Sequence, residues 1–125
     1  MAVYVVDHVA LSVSDLERSR TFYRAALEAL GLAELYEKDG MVAFGVEGRD
    51  DFAIAERRPV TSAAHVAFPA PSLEAVKAFY DAALEAGGRD NGPPGPRPRY
   101  SERYYAAYVL DPDGNNIEAV FHAPR

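Results

Sequence analysis

Two histidines and one glutamate are the residues of this 125-residue chain best suited to chemistry. His8 opens the segment His8-Val9-Ala10-Leu11, and His65 opens His65-Val66-Ala67-Phe68. Glu118 lies just after the turn Asp111-Pro112-Asp113-Gly114-Asn115. Side chains alternate across a strand. Val9, Leu11 and Val13 form an apolar set that must pack on helices, so Val6, His8, Ala10 and Ser12 face the other way. His65 and Ala67 oppose Val66 and Phe68, and Asn116, Glu118 and Val120 oppose Ile117, Ala119 and Phe121. His8, His65 and Glu118 are therefore expected on one concave side, turned away from the helices. Two imidazoles and a carboxylate suit a divalent cation such as Zn²⁺, Mn²⁺, Ni²⁺, Fe²⁺ or Co²⁺. Three protein ligands leave positions open for water or substrate. A lone strand histidine is commonly a structural hydrogen-bonding group, and a glutamate near a strand end is commonly solvated. The duplicated positions of His8 and His65 set this pair apart.

That duplication organises the chain. Shifted by 57 positions, His8–Gly31 falls on His65–Gly88 with 13 of 24 residues identical and no gap. The matches include His-Val-Ala, Phe22-Tyr23 with Phe79-Tyr80, and Ala25–Ala29 with Ala82–Ala86. Alike alanine-rich helices would explain the alanines only, so an internal repeat is expected. Each half reads strand–helix–three strands. In the first, Val3–Ser12 is a strand, Ser14 and Glu17 fit a capping box, and Leu16, Tyr23, Leu27 and Leu30 make a helical stripe ended by Gly31. Strands follow at about Leu32–Glu37, Met41–Val46 and Phe52–Glu56. In the second, Ala64–Phe68 is a strand, Leu73, Val76, Tyr80 and Leu84 make the stripe, and Gly87-Gly88 ends the helix. Tyr104–Leu110 and Asn116–Phe121 are strands. The expected modules are about 3–62 and 63–125, together one domain.

Asp90–Arg103 reads as an insertion. Its four prolines between positions 93 and 98 forbid helix and central strand, leaving a surface connector or a stiff flap over a pocket. As a flap it offers Arg97, Arg99 and Tyr100, the arginines suiting an anionic ligand group. Tyr104 and Tyr108 share one strand face and Tyr105 takes the other. Packing accounts for these rings at least as well as ligand stacking does. His122 is given no role.

Composition narrows the classes. Hydrophobic residues are 49% and charged residues 26%, as in globular domains. A net charge of −6 argues against a nucleic-acid partner. The absence of cysteine excludes disulfides, thiolate metal sites and a cysteine nucleophile. The first residues lack a signal-peptide pattern and no apolar run approaches a membrane span, so no membrane association and a cytoplasmic location are expected.

Three pieces of the sequence resemble the vicinal oxygen chelate superfamily, which includes glyoxalase I, type I extradiol dioxygenases, fosfomycin-modifying thiol transferases and bleomycin-resistance proteins. They are Asp7–Leu16 with Phe22-Tyr23, His65–Phe68, and Tyr108–Glu118 with its Asp-Pro-Asp-Gly-Asn-Asn-Ile-Glu ending. The resemblance implies an α+β fold of two tandem βαβββ modules whose curved mixed sheets form a cup, helices outside. It implies metal ligands where His8, His65 and Glu118 stand. It also implies a homodimer, whose ligands can come from two chains. Glyoxalase I enzymes usually take a fourth ligand from the last strand of the first module. Phe52, which cannot ligate, occupies the corresponding distance after Gly48, and Glu56 is the only later carboxylate in that strand. The ligand set looks more like the dioxygenase and thiol-transferase branches.

The expected function is a metalloenzyme, a lyase or isomerase, dioxygenase or thiol transferase. Its divalent metal would act as a Lewis acid on a small oxygen-bearing substrate. Arg97 or Arg99 would hold an anionic group, and Tyr100 or Glu56 would carry protons. The alternative is a metal-free protein that sequesters a small aromatic ligand in a cup lined by Phe52, Tyr104 and Tyr108.

Overall fold

The computed structural model describes residues 5–124. The chain forms two units with the same element order, β1 (Val9–Val13), α1 (Leu16–Glu28), β2 (Ala33–Lys38), β3 (Met41–Val46) and β4 (Arg49–Glu56), then β5 (His65–Pro69), α2 (Leu73–Glu85), β6 (Arg89–Pro96), β7 (Tyr104–Leu110) and β8 (Asn116–His122). Each unit makes one four-stranded mixed sheet, β1-β4-β3-β2 and β5-β8-β7-β6, with β1–β4 and β5–β8 parallel and the other pairs antiparallel. The fold is thus α+β, built of tandem βαβββ modules. No described helix is long and apolar enough to cross a membrane.

Several local expectations are corrected. The strand expected over Val3–Ser12 begins only at Val9, and Val3 and Tyr4 lie outside the described residues. The stretch expected as an insertion contains β6, which is the counterpart of β2. Its prolines are tolerated because β6 is an edge strand, paired to β7 alone, with register shifts at Gly92 and Gly95. The true excess lies in the β6–β7 loop, residues 97–103, where the Arg97 N–H donates to Tyr104 O at 2.7 Å. The capping box is not formed either. Asp15 is the N-cap of α1, accepting from the Arg18 N–H at 3.0 Å. Ser14 is instead drawn to the second module, its hydroxyl and N–H both donating to Asp113. Ser72 caps α2 by accepting from the Ala75 N–H.

Both helices end on a glycine in the left-handed region, Gly31 (φ +85°) and Gly87 (φ +103°). In each, the next residue's N–H reaches back to a carbonyl in the last turn, Leu32 to Leu27 and Gly88 to Ala83. Gly88 is glycine for a different reason. A Cβ there would stand 2.6 Å from Phe22 Cε1 and 2.8 Å from Ala83 O.

The buried faces of α1 and α2 centre on Phe22, Tyr23, Ala26 and Leu27, and on Val76, Phe79 and Ala83. Leu16, Tyr80 and Leu84, expected in the stripes, pack at its margin. These faces merge with Val13, Phe44, Ile54, Val109 and Ile117 into one apolar cluster shared by both modules. Each buried valine, leucine, isoleucine or phenylalanine there contributes ~1.5–3 kcal/mol. Inside the cluster the Tyr23 hydroxyl donates to Asp111, a carboxylate only 1% exposed. Asp111 also accepts from the N–H groups of Asp113 and Asn115 at 2.9 Å and from Asn115 Nδ2 at 3.0 Å. Burial, with the Asp111 charge next in weight, pushes the Tyr23 phenol well up, so it remains a donor.

Two measurements test this packing. Tyr23→Phe removes one donor from a buried carboxylate and should lower unfolding free energy by about 1–2 kcal/mol in urea titration. Gly88→Ala should cost a similar amount through overpacking against Phe22. At the surface, the Arg20 guanidinium holds the Glu34 carboxyl down at about 2, below its usual 4.5. A depressed carboxyl stabilises above its unfolded value and loses that contribution as pH falls. The stability gap between the wild type and Glu34→Gln should therefore be flat from pH 7 to pH 5, shrink below about pH 4.5, and vanish near pH 2.

Candidate functional site

Alternation along β5 and β8 puts their apolar residues on the helices and leaves the other sheet face open. Ile117 and Ala119 are fully buried in the core. Ala67 pairs with Glu118 across the parallel ladder, and Tyr108 pairs with Glu118 across the antiparallel one. Glu118 thus stands mid-sheet on the open face, yet is only 1% exposed. Its cover is specific. His65 Nε2 lies 2.7 Å from Glu118 Oε1 and donates to it, while the Tyr104 hydroxyl donates to Oε2. A buried carboxylate requires such partners. Burial first, and the Glu118 bond next, push the Tyr104 phenol above its ordinary value, so it stays protonated and keeps donating.

Aromatic rings extend this wall. His65 and Tyr108 lie 6.3 Å apart, Tyr100 and Tyr104 5.0 Å, and Tyr104 meets His122 edge-on at 5.2 Å. The Arg97 guanidinium lies over Tyr108 at 5.2 Å and donates to the carbonyls of Pro93 and Pro96 at 2.6 and 3.2 Å. Arg99 lies over Tyr100 at 5.1 Å. Arg97 thus braces a ring of β7 and Arg99 a ring of the β6–β7 loop. Gly92 has no Cβ because one would stand 2.8 Å from Tyr108 Cδ1.

The first module's open face is different. His8 precedes β1, its side chain 67% exposed, with Nδ1 2.8 Å from Asp7 Oδ1. That bond and the Asp7 charge raise the imidazole above its usual pKa, with a smaller push from Asp50. The Tyr36 hydroxyl donates to Asp50 and holds its carboxyl below the usual range. Among the described residues no group of three or more histidine, aspartate or glutamate side chains stands where it could hold a metal ion. One chain therefore brings His65 and Glu118 together with Tyr104, Tyr108, Tyr100 and Arg97, but does not bring His8 to them.

Two other expected site residues lie elsewhere. Phe52 pairs with Val9 and points into the core, where its ring lies 5.0 Å from Tyr23 and 5.2 Å from Phe68. Glu56 accepts the Leu16 N–H at 2.9 Å and so closes the start of α1. Register identifies Ala53, not Phe52, as the counterpart of Glu118, since Ala10 pairs with Ala53 as Ala67 pairs with Glu118. Arg57, Tyr36 and Asp50 were missed in the sequence. Strand parity was a usable signal for Arg57, which shares a face with Ala53 and Ala55.

With the Nε2 proton displaced, His65 Nε2 and Glu118 Oε1 would offer one nitrogen and one oxygen ligand, a chemistry that fits a borderline divalent cation. Tyr104 behind Glu118 would fix the carboxylate's orientation, as an outer partner of a ligand does.

Comparison with known proteins places these features. A model of the Glyoxalase/Bleomycin resistance protein/Dioxygenase superfamily matches residues 5–119. A glyoxalase/bleomycin resistance protein from Albidiferax ferrireducens T118 is 32% identical, covering 94% of this chain and 99% of its own, with a TM-score of 0.86. Glyoxalase I from Zea mays is 28% identical over 93% of this chain, with a TM-score of 0.69, and the match spans 45% of that longer protein. A family enzyme from Burkholderia phytofirmans PsJN, 17% identical with a TM-score of 0.72, shares the fold. No curated protein matches the chain.

The His65–Glu118 pair should be energetically coupled. A double-mutant cycle with His65→Ala and Glu118→Gln should give a coupling energy of about 1 kcal/mol in urea unfolding at pH 7. Additive effects would show that the hydrogen bond contributes nothing.

Proposed function

Because the chain belongs to the glyoxalase/bleomycin resistance protein/dioxygenase superfamily, we propose that it is a metal-dependent enzyme acting on a small substrate with two neighbouring oxygens, its site assembled from two copies. The observation that carries this reading is the buried Glu118 carboxylate, turned to the open face and held between His65 and Tyr104. His65 and Glu118 supply two ligands. His8 supplies the third from the first module of a second copy, since within one chain it stands apart.

When bound, a divalent metal supplies Lewis-acid polarisation of the substrate oxygens and stabilises negative charge developing on them. The protein's own groups do the rest. Tyr104 keeps Glu118 in one rotamer by donating to Oε2. Tyr108 walls the site beside His65, and Tyr100 packs on Tyr104. Arg97 is held by the Pro93 and Pro96 carbonyls and stiffens that wall. Lyase or isomerase, dioxygenase and thiol-transferase chemistry all fit this arrangement.

A second reading has its own observation. His65 and Tyr104 together satisfy both Glu118 oxygens within one chain. That favours a metal-free protein that sequesters a small aromatic ligand. Metal analysis separates the two. Protein purified without chelator should carry about one equivalent of divalent metal per chain. Chelator should remove it, and His65→Ala or Glu118→Ala should lower its affinity by at least about 100-fold. No metal after incubation with Zn²⁺, Mn²⁺, Ni²⁺ or Fe²⁺ would sink the enzyme reading and leave the binding protein.

A further inference from the structure

The two modules repeat one backbone, but their open faces are not alike. In module 2 the central positions carry Tyr108, Glu118 and Val120. The register-matched positions of module 1 carry Ala43, Ala53 and Ala55. Replacing two large side chains and a valine by alanines hollows the face. The result is a cavity of about 300 Å³ floored by Ala10, Ala43 and Ala53 and flanked by Met41 and Tyr36. This volume is at the lower end of small-ligand pockets.

The ends of the cavity differ in charge. His8 and Asp50 line one end, at the starts of β1 and β4, and Asp50 is already engaged by the Tyr36 hydroxyl. Arg57 lines the other, just past the end of β4. Its guanidinium has no carboxylate partner among the described residues. The two arginines expected to hold an anion are engaged elsewhere, Arg97 with Tyr108 and two prolyl carbonyls, Arg99 with Tyr100. An apolar floor of three alanines fits a flat ring system, and a free guanidinium at its rim fits a carboxylate.

We propose that the open face of module 1 binds a small aromatic carboxylate, its ring over Ala10, Ala43 and Ala53 and its anionic group at Arg57. This deepens the proposed function by naming a substrate class, and rests on it for any chemistry that follows binding. Arg57 replaces Arg97 and Arg99 as the anchor for an anion.

The test is a ¹⁵N NMR titration of the full chain with 2-naphthoate, with uncharged 2-naphthamide as control. The expected result is saturable shifts at the amides of Ala10, Ala43 and Ala53. Arg57→Gln, an exposed substitution that leaves the core untouched, should weaken naphthoate about tenfold and leave naphthamide within about twofold. Ala53→Leu should abolish binding of both. Shifts centred elsewhere, no saturable shift, or equal naphthoate affinity in Arg57→Gln would overturn the proposal. Metal content measured on the same samples keeps the readings apart. Normal metal loading with no naphthoate response refutes this site alone. A normal naphthoate response without metal refutes the metalloenzyme alone and upholds the site.

Discussion

The Asp111 carboxylate is the contact on which the rest of the molecule depends. It is buried in the turn between β7 and β8, and four donors converge on it, one of them the Tyr23 hydroxyl from the other module. A buried charge left short of donors is costly, so this turn has one satisfactory position against α1. Its neighbours extend the junction. Asp113 takes the Ser14 hydroxyl, and Asn115 donates to Thr61 O while accepting from the Ala64 N–H. The start of β8, and with it Glu118, is therefore fixed by contacts made to the first module and the linker.

A duplicated backbone has been given two unequal open faces. One is crowded, with a carboxylate clasped by a histidine and a tyrosine and walled by rings. The other is hollow, with alanines where those groups would stand. Under the proposed function, the asymmetry gives the chemistry to the second module and the room to the first. It also fits the proposal that one chain holds only part of a ligand set. His8 and the pair His65–Glu118 belong to different modules, and the proposed site, which uses all three, takes one module from each of two copies.

Much of this was legible in the sequence, because a repeat with strict alternation declares its elements and faces. Both helices, β3 and β7, and the shared face of His65 and Glu118 follow from periodicity alone. The failures have local causes. β6 was hidden by its prolines, which only an edge strand admits. The cap of α1 moved from Ser14 to Asp15 because a distant residue, Asp113, claimed Ser14. Phe52 and Glu56 were placed at the site by distance from a turn, whereas β4 begins three residues before Phe52, and pairing with β1 decides which way each side chain points. Arg97 and Arg99 stand out in the sequence by their charge alone, and only the structure shows both lying over tyrosine rings. That His8 stands apart from its expected partners depends on how two sheets are set against each other, which no strand pattern encodes.

The central claim, that the metal site joins His8 of one copy to His65 and Glu118 of another, can be tested by complementation. His8→Ala and Glu118→Ala chains carrying different affinity tags would be co-expressed, the mixed dimer isolated through both tags, and its metal measured by mass spectrometry. The account predicts almost no metal in either parent variant and about one equivalent per mixed dimer, since one of its two sites regains all three ligands. A mixed dimer as empty as its parents, beside a loaded wild type, would contradict it.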